Sequence, residues 1–210
     1  MPKVLIGCGV VVLVLAVGGW LAASYLFNRV TKSALGSADC ELISTADVNT
    51  LTSGTFELVQ LGGITSAAGV AVDGRVIPDG TTCMGSEKDK DAPRLIRIAR
   101  LTTPDAAARY QRELTQATGV TQNRGNGVSV SSEPYYAHDV QDGDQAFCTT
   151  TDPIGFSGIL VRRGDALIYV SVSSGVGGVP NFAPGPNGSI VSADDEAHCT
   201  LAQKVADKVS

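Results

Sequence analysis

One stretch near the amino terminus decides where the rest of the chain can fold. Residues 4–27 read VLIGCGVVVLVLAVGGWLAASYLF, 24 residues without a charge. An apolar helix needs about 20 residues to cross roughly 30 Å of hydrocarbon. At 1.5 Å per residue this run reaches roughly 36 Å, enough to span with some tilt. A signal peptide has a shorter apolar core, about 7–15 residues. Ala22-Ala23-Ser24 offers small residues at cleavage-site spacing, so a cleaved signal is the competing reading. Length favours an uncleaved transmembrane anchor held in the lipid bilayer by residues 4–27. The chain then divides into anchor and tether, 1–32, and one domain, 33–210.

Charge alone orients the anchor poorly. Lys3 precedes the run, and Arg29 and Lys32 follow it, close to a tie under the positive-inside rule. Leu5-Ile6-Gly7-Cys8 carries the letters of a lipobox. A lipobox follows its hydrophobic region, whereas here the apolar run comes after the cysteine. Cys8 therefore reads as a small, buried membrane cysteine.

The four remaining cysteines break the tie. Cys40, Cys83, Cys148 and Cys199 lie 43, 65 and 51 residues apart, and none forms a C-x-x-C pair. Zinc ligands are usually closely paired, which argues against a metal. An even count behind an export segment reads as two disulfides. Oxidised cysteines require an extracytoplasmic domain, so the expected location is the cell membrane, single-pass, with the carboxy-terminal domain outside. Four cysteines permit three pairings. The layout of elements favours Cys40–Cys83 and Cys148–Cys199, one staple per half. Each would contribute about 4 kcal/mol in the chain-entropy treatment.

All 21 acidic residues, but only 13 of the 16 basic ones, lie beyond residue 32, so that part carries a formal charge of −8. An acidic domain argues against nucleic acid as a partner, since phosphate binding needs clustered Lys and Arg. The low aromatic content, 5%, weakens stacking on bases or sugars.

Ser44-Thr45-Ala46-Asp47 has the form of a capping box, which predicts a helix to about residue 52, stopping before Gly54. Strands are expected at 56–61, 81–85 (with Cys83), 95–101 and 145–149 (with Cys148). Thr103 as N-cap and Pro104 at N1 predict a second helix, with Ala107, Tyr110, Leu114 and Ala117 on one face and Gly119 as its stop. Residues 121–127 read as loop, and 128–136 as containing a strand. Residues 159–162 and 166–173 read as a hairpin across Arg163-Gly164-Asp165, with one side of its second strand in the core. A Gly/Pro-rich loop at 175–188 has the length of a functional loop. Ser192 is expected to cap a last helix with Cys199, Ala202 and Ala206 in one stripe beside Leu201 and Val205. Each half thus holds a cysteine-bearing strand, a further strand and a helix, a weak repeat in element order. The fold class that follows is α+β, an antiparallel sheet packed by helices, with two disulfides and a preceding transmembrane helix.

The stretches DCELISTADV at 39–48, TC at 82–83, LIRI at 95–98, PDAAA at 104–108 and RGDALIYV at 163–170 resemble an actinobacterial family of secreted or lipid-anchored envelope domains of unknown function. The layout is similar to the extracellular sensor domain of certain mycobacterial serine/threonine kinases. The resemblance covers about 38–209 and implies a two-disulfide α+β sandwich with a cleft. It implies no catalytic residues. The chain departs from it in having neither a workable lipobox nor a kinase domain.

Several motifs are weighed and set aside. His138-Asp139-Val140-Gln141-Asp142-Gly143-Asp144 offers oxygen ligands, but its spacing fails the calcium-loop pattern. Ser157, in Gly155-Phe156-Ser157-Gly158-Ile159, misses the nucleophile elbow at its last position. His198 lies near Asp194 and Asp195, where a polar surface is expected. Arg163-Gly164-Asp165 reads as turn chemistry, Asn187-Gly188-Ser189 as a sequon that matters only in a glycosylating host, and Gly175-Val176-Gly177-Gly178 as a flexible loop. No catalytic, cofactor or metal residue is assigned. The expected function is a membrane-anchored extracytoplasmic binding or sensing module, with a small-molecule ligand or an envelope protein as partner. Its expected contact surface is a cleft between sheet and helices, with 175–188 as lid. The alternative is a structural accessory subunit of an envelope complex.

Overall fold

A computed structural model describes residues 39–61, 80–88, 93–119, 121–123, 129–131, 134–152, 155–173, 182–184, 190–192 and 194–210. The anchor at 4–27, Cys8, the tether and most of 175–188 lie outside them. Among the described residues, no helix is long and apolar enough to cross a membrane.

Helix α1, Thr45–Thr52, starts where Ser44 predicts it. The Asp47 amide donates to Ser44 Oγ at 3.1 Å. Asp47 turns its carboxylate onto the same hydroxyl, 2.6 Å away, rather than onto the backbone amide a capping box would satisfy. The helix ends on Ser53 in the left-handed region, φ 50°. Strand β1, Phe56–Leu61, follows. The Asn49 amide exchanges hydrogen bonds with both backbone groups of Phe56, which occupies part of an open sheet edge.

Strands β2, Thr81–Glu87, and β3, Leu95–Thr102, complete a first meander. Helix α2, Ala106–Ala117, leads by the ribbon β4, Thr121–Asn123, and β5, Ser129–Ser131, to the far edge. From there β6, Tyr136–Val140, β7, Gln145–Thr149, β8, Phe156–Arg163, and β9, Ala166–Ser173, run back to the centre. The sheet order is β1-β2-β3-β9-β8-β7-β6, with antiparallel neighbours throughout. A second ribbon joins β10, Phe182–Pro184, to β11, Ile190–Ser192. Helix α3, Asp195–Ala206, closes the fold.

The strand period of two sorts side chains to two faces. On one face Ile96, Ile98, Ile159, Val161, Ile168, Val170 and Val172 pack with Val48 of α1 and with Cys199, Ala202, Val205 and Ala206 of α3. On the other, Ala99, Phe147, Leu160, Leu167 and Tyr169 pack with Ala106, Tyr110 and Ala117 of α2. Strand β9 is therefore buried along its whole length, where one core side was expected. The second helix has taken up its other face.

Four more expectations are corrected. Helix α2 begins two residues late, because Pro104 and Asp105 form a turn; this buries Ala106 and exposes Ala107. Residues 121–123 form β4 rather than loop. Ser192 ends β11, and Asp194 precedes α3 instead. The repeat does not extend to packing, since α2 and α3 lie on opposite faces of the sheet.

Candidate functional site

The structure joins Cys40 to Cys83 and Cys148 to Cys199, with Cα separations of 5.8 and 5.7 Å. One bond ties the segment before α1 to β2, and the other ties α3 to β7. All four cysteines are buried.

The candidate nucleophile and base from the sequence do meet. Strand β8 presents Ser157 to the α1–α3 face, and the first turns of α3 place His198 above it. Ser157 Oγ and His198 Nδ1 share a hydrogen bond of 2.7 Å. Ser157 is 0% and His198 8% exposed. Burial pushes the imidazole below its usual pKa, against the pull of Asp194 and Asp195, and Arg94 adds to the depression. Thr151 donates its hydroxyl to Asp195 Oδ1. In a hydrolytic triad the serine faces Nε2, and Nδ1 is held by a carboxylate. Here the serine takes Nδ1 and lies beneath the helix, closed to any substrate. Chemically the pair can fasten α3 to the sheet. His198 was expected on a polar surface. Its place four residues before Ala202 and seven before Val205 is the helical-period signal that puts it on the buried face.

Arg94 closes the same end of the molecule. Its guanidinium gives Glu87 two hydrogen bonds, Nε to Oε2 at 3.1 Å and Nη2 to Oε1 at 2.9 Å. Those bonds raise its pKa. It also stands 5.5 Å from the centre of the Phe56 ring.

The acidic stretch after His138 is engaged elsewhere. Arg163 Nη2 lies 2.6 Å from Asp142 Oδ1 and also bonds Asp207, while its Nη1 donates to the Ala206 carbonyl at 3.0 Å. Arg162 pairs with Asp144 at 3.0 Å, and Asp144 accepts the Gly164 amide at 2.8 Å. The Arg-Gly-Asp letters thus build a hairpin tip with Gly164 at φ 58°, and its arginine is committed to α3. No group of three or more metal-ligating side chains converges among the described residues. Asn187-Gly188-Ser189 and Gly175-Val176-Gly177-Gly178 lie outside those residues.

A polar row crosses the α2 face of the sheet, unsignalled except by the arginine inside the apolar run at 95–101. Val59, Met84, Arg97, Ser171, Gly158 and Thr149 are cross-strand neighbours in sequence. Arg97 is 2% exposed, with its guanidinium carbon 5.9 Å from the Tyr169 ring centre. Among the described residues, α1 and α3 sit directly on the apolar face of the sheet. An open depression of about 460 Å³ lies at the rim, where Leu42, Ile43, Ser44 and Asp47 meet Lys208 and Ser210.

No family model, curated protein or solved structure matches the chain.

Proposed function

We propose that the chain is a membrane-anchored extracytoplasmic binding or sensing module without enzymatic activity, held in the bilayer by residues 4–27. The observation that carries the reading is the pair of buried disulfides, Cys40–Cys83 and Cys148–Cys199. Such bonds persist in oxidising compartments, and the uncharged run at 4–27 supplies a route out of the cytoplasm.

The full-length chain in a bacterial host tests it. It should stay with the membrane through a carbonate wash and be digested by protease added to intact spheroplasts. Release by carbonate overturns the anchor, and protection from protease overturns the orientation. Native mass spectrometry of the full chain in detergent should then show a mass above the oxidised polypeptide. A bare mass, with crosslinks to one membrane neighbour, favours the accessory-subunit reading.

A further inference from the structure

The chain has two histidines, sixty positions apart in sequence, and both meet the start of α3. His138, on edge strand β6, faces Glu196 with Nε2 3.5 Å from Oε2, at the surface. His198 lies beneath the same turn on Ser157. Histidine is the side chain whose ordinary titration falls between pH 5 and 8, so the described histidine chemistry is gathered at one helix end. We propose that this end of α3 is an acid-responsive latch: it is closed on β8 while His198 is neutral and loosened when His198 takes up a proton.

The groups around His198 set the direction. From β8 it meets the Ser157 hydroxyl, from the start of β3 the charge of Arg94, and from the start of its own helix Asp194 and Asp195. An imidazolium there would be buried, would face Arg94, and would lie near the positive end of the helix dipole. The two carboxylates oppose this without outweighing burial, and the folded state holds the proton less readily than the unfolded chain. The closed turn is therefore fully stable above about pH 6.5. As pH falls below that value the opened state binds more protons, and the closed turn loses stability until the folded pKa is passed. His138 stands beside Glu196 at the surface. That pair is exposed and correspondingly weak. Because the Cys148–Cys199 bond fixes the next residue, the response is confined to the helix end. This inference does not depend on which ligand the module takes.

Hydrogen exchange on the full-length oxidised chain in detergent, at pH 7.5 and 5.5 and corrected for the intrinsic rate, is the test. Amides at the start of α3 and around Ser157 should exchange faster at the lower pH, by up to about tenfold per pH unit within the window. His198→Gln should abolish the pH dependence, and His138→Gln should keep it. Equal protection at both pH values, or the same response in His198→Gln, overturns the latch. Should His198→Gln not fold, the wild-type His198 ring is followed by NMR. Titration below the ordinary histidine value supports the latch, and titration at or above it overturns the latch.

Discussion

Cys83 and Cys148 stand in one cross-strand row of the sheet, with Ile98, Val170 and Ile159 between them. The row lies on the face that α1 and α3 cover, and each cysteine bonds to that helical layer. The apolar centre of the fold is thus clamped at both flanks.

Replacing Cys83 with Ser should therefore cost about 4 kcal/mol, as should replacing Cys148, from the loops of 43 and 51 residues each bond closes. Chemical denaturation in oxidising buffer measures it. Unchanged midpoints in both variants would contradict a structural role for the bonds.

On the other face, Tyr110 of α2 meets Phe147 edge-on, with ring centres 5.7 Å apart. Tyr110 is 2% exposed. Tyr110→Ala should cost about 3–5 kcal/mol and release α2 in preference to α3. Hydrogen exchange distinguishes the helices. A uniform loss of protection would mean that the two layers unfold together.

Gly158 and Gly164 should respond differently to Ala. At Gly158 a Cβ would fall 1.9 Å from the Val170 carbonyl oxygen, and no flexible side chain can yield there. At Gly164 there is open space, but φ is 58°. Gly164→Ala should cost about 1–2 kcal/mol from the left-handed backbone alone. Gly158→Ala should cost about 3 kcal/mol or more. Comparable thermal midpoints for the two would refute the close approach at β9.

Arg163→Met should cost about 1–3 kcal/mol, because the Asp142 carboxylate, 5% exposed, would lose its cation. Chemical denaturation at neutral pH measures it. An unchanged midpoint would contradict a structural role for this ion pair.

Much of the local structure was legible. The Ser44 cap, β1 at 56–61, β7 at 145–149 and the 166–173 strand follow from rules that operate within a few residues. The misreadings depend on partners far along the chain. Ser192 has the letters of a cap but pairs with Phe182 in a ribbon. Thr121 and Asn123 look like loop until Ser131 and Ser129 lie beside them.

The site divides the same way. The cysteine pairing followed from element order, and the structure makes the same two pairs. The contact of Ser157 with His198, across 41 residues, did not. Each residue alone looked like surface or core filler. What the sequence determined by itself is what short-range chemistry writes into it: the uncharged run at 4–27, the strand and helix periods, the turn residues, and four cysteines without the close pairing usual of zinc ligands. Only the tertiary structure decided which faces meet. The second meander returns to the centre and lays β9 against β3, so one strand is covered on both sides. The same return sets α3 on β8, and with it buries His198 against Ser157. Such contacts arise when apolar faces far apart in sequence are driven out of water together, and no local pattern encodes that.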